Sequence, residues 1–452
     1  MSRLNCPGAA GILLLASTLA LAGGPALSVD EAVDRALRSG EIDARVQGVE
    51  EALGRLQQKR AWPSAVVTYD RQHILDRNGS PGFAQDLLKL EQPLVAAGLR
   101  AGRTMAGEGG VEVAQRELAM TRNKKILEVR KAFARVLEAQ RVVEIYGHSR
   151  VHIRTAQEII RARVRAGESS RYENVRIELA DAQERDQATA AVVDRTRAVS
   201  EMASAMGVSL PPDTVVTGTL PGPLFFDPDD SAEPRSIATA PGAPDRAGPV
   251  AKRPARGATE EALARRPEVA LELWRVRQAE MDERVAKAEM RPQFAIGLGY
   301  MGFDQSGMAS QSGYNAIVSV SLPWSERRRG EMATARARTR AAEYSRTATT
   351  ARVTAEIEGS RQNLQAASAR LHEVLSRQQT KVDEMVSIAE TSYRAGLHSL
   401  LELLDAYRLE RDFQIARVRA QGALQQALEE YCHAVGVPPI AILARSRDAR
   451  TK

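Results

Sequence analysis

The chain repeats itself at long range. Arg165-Ala166-Gly167 returns as Arg394-Ala395-Gly396, 229 residues later, and Pro63, Glu173 and Ala205-x-Gly207-Val208 return as Pro292, Glu402 and Ala434-x-Gly436-Val437 at the same offset. "EQPL" at 91–94 matches "SLPW" at 321–324 one residue further apart. Self-similarity at a fixed offset means one supersecondary plan built twice. The repeats run over 27–220 and 258–437. Between them, 221–257 is rich in Pro, Gly and Asp and reads as a surface linker at the middle of the molecule, and 438–452 is a tail.

Each repeat reads as a helix, two short strands, a very long helix, a glycine break and a further helix. In the first, the spacing predicts helices over about 28–60, 98–164 and 169–207 and strands over about 64–73 and 83–92. In the second, it predicts helices over about 258–290, 326–392 and 399–436 and strands over about 293–302 and 314–322. The glycines of "AGRTMAGEGG" at 101–110 make the start of the long helix over 98–164 its weakest part. A helix of about 67 residues spans ~100 Å, and the two shorter helices of a repeat laid end to end reach ~110 Å, so each repeat can form a two-stranded coil of even length. Leu409, Phe413, Ala416, Ala420, Ala423 and Ala427 step by four and three, a heptad seam of small knobs.

The strands alternate. In "QFAIGLGYMG", Phe294, Ile296, Leu298 and Tyr300 alternate with small or polar residues, as do Tyr314, Ala316, Val318, Val320 and Leu322 in the next strand. A soluble sheet with one buried face has this pattern. So does a membrane-spanning barrel, which the strand length, the polar "DQSGMASQSG" between the strands, and Trp62, Tyr69, Phe83, Tyr300, Tyr314 and Trp324 near strand ends all suit. The first pair fits less well, because Asp86 shares a face with Ala84, Leu88 and Leu90. Four strands per chain cannot close a barrel, and a bilayer tolerates no open sheet edge, so spanning strands require several chains. Three chains supply twelve strands and leave a lumen.

The first residues bear on compartment. One basic residue, an apolar run from Gly11 to Ala22 and small residues suited to cleavage after Ala22, or as late as Ala26, read as a secretory signal over 1–22. Its removal takes away Cys6 and leaves Cys432 without a disulfide partner, and "GGPAL" at 23–27 lacks the cysteine of a lipid anchor. No later run is long and apolar enough for a spanning helix. Only 4% of residues are aromatic against 27% charged, which favours long helices over a compact mixed core. The 63 basic and 57 acidic residues are interspersed, apart from "ERRRGE" at 326–331, so nucleic acid is not an expected partner.

The signal, a helix opening "LSVDEAVDRAL", strands ending at "LEQPL" and two "RAG" breaks together resemble the TolC family of outer-membrane efflux proteins, from about Leu27 to Val437. The resemblance implies a mainly α fold with a small β part. It is a trimer whose long coiled-coil helices form a periplasmic tunnel and whose four strands per chain contribute to a shared twelve-stranded barrel in the outer membrane. "RARVRAGESSRYENVRIELADAQ" at 161–183 is most similar to the branch associated with cobalt, zinc and cadmium efflux. The family serves as a passive exit duct for cargo, here heavy-metal cations or small toxic molecules. Its implied partners are a periplasmic adaptor, an inner-membrane pump of the resistance-nodulation-division type and outer-membrane lipid.

The resemblance also places the breaks, Gly167 and Gly396, at the periplasmic tip, with acids beyond the second break ringing a closed entrance. On this chain the ring falls on Glu402 and Asp405, whose first-repeat equivalents are Glu173 and Arg176. Crowded like charges raise some of their pKa values and attract cations. Arg394, His398, Tyr172 and Arg171 are candidates for the bonds that hold the entrance shut. An alternative stays open, since carboxylates in the first turns of a helix are favoured by its dipole without any gating role.

Other chemistry is sparse. His148 and His152 stand four apart on one helix, a spacing that suits zinc or a solvated pair, and no Glu follows His148 to complete HExxH. Arg327-Arg328-Arg329 reads as a solvated turn or as a contact with acidic lipid groups. No nucleophile elbow or phosphate-binding glycine loop occurs, so no enzyme activity or cofactor is expected. A different class of function, a periplasmic helical adaptor or scaffold, would show one helical hairpin flanked by β-rich halves.

Overall fold

A computed structural model describes residues 26–75, 81–95, 97–166, 170–222, 224–225, 235–236, 256–304, 309–322 and 326–437. The signal, Gly167, most of the linker, Trp324 and the tail lie outside the described residues. The first repeat contains α1 (Val29–Leu37), α2 (Gly40–Arg60), β1 (Val66–Leu75), β2 (Pro81–Leu94), α3 (Ala97–Ala166) and α4 (Arg171–Met206). Two-residue strands β3 (Leu224–Phe225) and β4 (Arg235–Ser236) pair within the linker. The second repeat contains α5 (Arg256–Arg265), α6 (Pro267–Glu289), β5 (Gln293–Asp304), β6 (Gln311–Ser321), α7 (Glu326–Arg394) and α8 (Leu400–Val435).

Two predicted helices are each broken in two. The first divides at Arg38 and Ser39, a Ser-Gly turn signal. The second divides at Arg266, where Pro267 takes the first helical position because it lacks an N–H and clashes with a preceding turn. Arg266 is 3% exposed; its guanidinium donates to the His433 carbonyl at 2.6 Å and to Glu356 at 3.0 Å, tying this break to α7 and α8. The glycine-rich stretch at 101–110 is helical after all. A Cβ on Gly107 would come within 2.8 Å of the Leu56 side chain and 3.3 Å of its Cα, so the missing side chain is what lets α2 lie against α3. Propensity yields here to packing.

The long helices organise the rest. At 70 and 69 residues, α3 and α7 each run ~105 Å. Toward the strands α3 packs against α2 and α6, and α6 also packs against α7; toward the tip α3 packs against α4 and α8, and α8 against α7. Each repeat thus forms the expected even coil, and the α3–α6 and α3–α8 contacts join the two. The predicted seam of α8 is met in part: Ala420 and Ala427 are buried and Phe413 is half-buried, while Leu409, Ala416 and Ala423 are exposed and Leu404, Tyr407, Ile415, Val418, Gly422 and Leu424 are buried beside it. Larger side chains gain more by burial than alanine, and α8 has two partners to cover.

One antiparallel sheet, in the order β1-β2-β5-β6, holds all four long strands. Its register builds level rows: Tyr69, Leu88, Tyr300 and Tyr314 in one; Val67, Leu90, Leu298 and Ala316 in the next; then Gln92, Ile296 and Val318; then Leu94, Phe294 and Val320. This apolar face is open to the surroundings, with Leu298 70%, Val318 71% and Tyr314 87% exposed. The other face is mostly small or polar, with Thr68, Asp70, Gln85, Lys89, Glu91, Gly297, Gly299, Asn315 and Ser319, and has Val66, Leu87, Met301 and Ile317 among them. A soluble sheet with one buried face is therefore not what forms. From the tyrosine row to the phenylalanine row is ~20 Å along the strand, close to the height of a barrel's lipid-facing band. Asp86 is accommodated at the edge of that band, accepting the Tyr69 hydroxyl proton at 2.6 Å and lying 3.6 Å from Arg71. The side chain of Phe83 lies outside the described residues.

Two hairpins and one shared sheet are not the single hairpin between β-rich halves that an adaptor would show. β1 and β6 each lack a partner on their outer side in the single chain.

Candidate functional site: the helix-break tip

The end of α7 is shaped by its glycine. Gly396 adopts φ 75°, the Leu397 N–H reaches back to the Ser392 carbonyl at 2.9 Å, and the Gly396 N–H reaches Tyr393 at 3.1 Å. This Schellman closure needs a left-handed residue, which glycine supplies without a Cβ penalty. Two residues on, Ser399 opens α8 with a capping box. Its Oγ accepts from the Glu402 N–H at 3.5 Å, and the Glu402 carboxylate accepts from the Ser399 N–H at 2.9 Å. His398 Nδ1 meets the same carboxylate oxygen, Oε2, at 2.5 Å. The Ser399 N–H first, then His398, hold the Glu402 carboxyl below its ordinary value.

The first repeat uses the same device. Ser170 caps α4 by accepting from the Glu173 N–H at 3.3 Å. Ser-x-x-Glu is legible at 170–173 and at 399–402, so the sequence carried a signal for the capping role that the repeat comparison alone passes over. Glu402 is thus a capping residue with Oε1 still open. Asp405 is exposed one turn further along α8 and makes no ion pair among the described residues.

Below these caps the four helices share a small core. Ile153, Ala156 and Ile160 of α3, Ile177 and Ala180 of α4, Tyr393 of α7 and Leu400, Leu403, Leu404 and Tyr407 of α8 are buried together. The Tyr407 hydroxyl donates to Glu390 at 2.9 Å and joins α8 to α7. Burial, with this bond to a carboxylate, pushes the Tyr407 phenol well above its ordinary value. Burial, then the nearby charge of Glu173, also raises the Tyr393 phenol.

The expected closing bonds are local. Arg394 lies 3.8 Å from Glu390 on its own helix, His398 binds Glu402 four residues on, and Arg176 donates to the Tyr172 hydroxyl at 3.0 Å within α4. Arg171 is exposed. Several contacts cross from one hairpin to the other: Arg411 of α8 pairs with Glu184 of α4, Arg408 donates to Gln183 at 3.2 Å, and the one closest to the break comes from a residue the sequence did not single out. Arg163, near the end of α3, donates to the Tyr393 carbonyl at 3.3 Å and the Arg394 carbonyl at 3.1 Å, with its guanidinium 5.1 Å from the Tyr393 ring centre. Both carbonyls lie at a helix C-terminus, where a cation is favoured, and that of Tyr393 also accepts from the Gly396 N–H. A basic residue close to a break was the available signal, but nothing in the sequence says which helix end it faces.

The histidine pair sits a few turns above. His148 is exposed, while His152 stacks obliquely on Tyr407 at 5.1 Å, with Nδ1 3.7 Å from Glu390. No group of three or more His, Cys, Asp or Glu side chains able to hold a metal occurs among the described residues. Cys432 is buried in the upper part of α8, where burial first and the Glu429 charge second raise its thiol. Of the arginine run, Arg328 binds Glu289 at 3.3 Å and Glu331 at 3.0 Å, and the side chain of Arg327 lies outside the described residues. No described helix is long and apolar enough to cross a membrane.

Comparison with known proteins bears on the whole assembly. Residues 258–437, the second repeat, match the family described as outer membrane efflux protein. A membrane protein from Pseudomonas aeruginosa is similar at 18% identity and TM-score 0.70, over 90% of this chain and 93% of that one. The outer membrane protein VceC of Vibrio cholerae is similar at 16% and 0.68, over 90% and 96%. The open-state MtrE outer membrane channel of Neisseria gonorrhoeae is similar at 16% and 0.68, over 90% and 89%. No curated protein matches the chain. At these identities the structural likeness establishes the fold.

Proposed function

Because residues 258–437 match the family described as outer membrane efflux protein, we propose that three copies form one outer-membrane efflux duct gated at the helix-break tip. The chain is a channel component and not an enzyme. The observation that carries the trimer is the sheet: four strands with two open edges, one face apolar and exposed, the other mostly small or polar. In a bilayer an unpaired edge costs several kcal/mol per backbone group, so β6 of one protomer pairs with β1 of the next until the barrel closes. The polar face then lines the lumen.

Cargo in this reading is a heavy-metal cation or a small toxic molecule. It is delivered by an inner-membrane pump of the resistance-nodulation-division type through a periplasmic adaptor. Passage through the duct is passive. Opening swings the α7–α8 hairpin away from α3–α4 at the tip, which breaks the Arg163 bonds. Asp405 from three chains supplies the charged ring at the entrance, and Glu402 adds its open oxygen while capping α8.

Reconstituted trimer in planar bilayers tests this. Glu402→Ala combined with Asp405→Ala is expected to weaken block by divalent cations and to lower cation preference. Unchanged block and unchanged selectivity would sink the ring. A chain that fractionates as a periplasmic monomer, with no heat-modifiable trimer, would sink the duct.

A further inference from the structure

Three helices from both hairpins meet at one carboxylate. Glu390, half-buried in the last turns of α7, accepts the Tyr407 hydroxyl of α8 at 2.9 Å on Oε1, and Arg394 lies 3.8 Å from its Oε2. The same Oε1 is 3.7 Å from Nδ1 of His152, which comes from α3 in the other hairpin and rests obliquely on the Tyr407 ring at 5.1 Å. His152 thus stands across the gap that Arg163 spans, ~16 Å further along α3 from the tip. The counterparts of His152 and Glu390 at the repeat offset are Lys381 and Arg161, so duplication alone does not account for the pair.

The other charges around the ring are held elsewhere. The small cavity beside it is lined by Glu410 and Arg411 of α8 and by His148 of its own helix. Glu410 accepts from Gln414 at 3.0 Å, and Arg411 is paired with Glu184 of α4 and with Asp412. On α7 the facing groups are Glu390 and, behind it, Arg394. A neutral imidazole carries one N–H and one lone pair, whereas the cation carries two N–H groups. Histidine is the side chain whose charge changes between pH 5 and 8.

We infer that His152 and Glu390 form an acid-strengthened latch: protonation of the imidazole sets an N–H donor and a positive charge against Glu390 Oε1, ties α3 to the α7–α8 hairpin and holds the tip shut as pH falls. The proton comes from solvent, which reaches both half-buried side chains. The inference rests on the proposed opening, in which α7–α8 leaves α3–α4. His398 is a second histidine at the tip, but its partner Glu402 lies in the same hairpin, so opening leaves that bond whole.

Open probability of the reconstituted trimer in planar bilayers, at about pH 7.5 and about pH 5.5, tests the latch. A partly exposed ion pair shifts an equilibrium about twofold, so three tips moving together should lower the open-to-closed ratio about eightfold on acidification. His152→Gln and Glu390→Gln, the latter leaving an oxygen for the Tyr407 hydroxyl, should each flatten that response. His148→Gln, one turn away on α3 and exposed, should leave it in place. If His152→Gln does not assemble, Glu390→Gln decides alone. A fall that survives in both variants, or no fall in the native trimer, overturns the latch. Arg163→Ala separates the latch from the opening itself: longer openings in that variant, with the pH response of His152→Gln still native, overturn the latch and leave the opening standing. No change of opening in either variant at either pH overturns both.

Discussion

Removing the Arg163 side chain is the sharpest test of the tip. Its two N–H···O contacts, at 3.3 and 3.1 Å, are long, and the side chain is half-buried. Hydrogen bonds from a charged donor contribute about 1.5–3 kcal/mol each when well formed, so this weaker pair together is worth about 1–2 kcal/mol per protomer. If three tips move in concert, Arg163→Ala shifts the closed–open balance by about 3–6 kcal/mol, or roughly two to four orders of magnitude in the ratio. Arg163→Lys keeps a cation near the end of α7 and loses the planar fork, so its effect falls between. Single-channel recording on the reconstituted trimer reads the change as longer and more frequent openings at unaltered unit conductance, because the barrel is untouched. The core of Ile153, Ile160, Leu400 and Leu404 remains, so trimer stability should move little. An unchanged open probability in Arg163→Ala, with the trimer intact, would refute the latch.

Further expectations follow from single contacts. Gly396→Ala adds a Cβ that meets nothing within 4 Å, so its cost is the left-handed backbone alone, about 1 kcal/mol, and Gly396→Asn should recover part of it in thermal melts. The Glu402 carboxyl is lowered in the folded chain, so its capping contribution is complete above the ordinary glutamate value and is lost as pH falls through the lowered one. The exchange protection of the Ser399 and Glu402 amides, relative to their intrinsic rates at each pH, should fall on acidification in the native protein and show no such step in Glu402→Gln. Tyr69→Phe takes the hydroxyl from Asp86 and is expected to lower the heat stability of the trimer slightly, with Asp86→Asn restoring some of it. His148→Ala should leave any zinc isotherm unchanged, since His152 already faces Glu390 and Tyr407; loss of a one-site isotherm would reinstate the metal reading.

What the sequence made legible follows from how local its signals are. The strands and long helices fall within a few residues of expectation because period and turn chemistry act within one element. Gly107 weakens the local helix signal because its reason is Leu56 on another helix, and the seam of α8 was legible only in part, at Ala420 and Ala427, because two neighbours compete for that helix. The tip separates the two kinds of information. Ser399, Glu402 and Gly396 have repeat partners in Ser170, Glu173 and Gly167; Ser399 and Ser170 cap their helices and Gly396 makes a break. Arg163 stands opposite Ser392 in the repeat, Asp405 opposite Arg176, His398 opposite Ser169, and Tyr407 opposite Glu178. Duplication conserves what makes a hairpin, and a gate needs the two hairpins to differ, since a latch must have a donor on one and acceptors on the other. Under the proposed gating, the unmatched positions are where the two hairpins can play different parts. Exchanging them, with Ser392→Arg and Arg163→Ser in one chain, should leave both caps formed while failing to restore the closed channel.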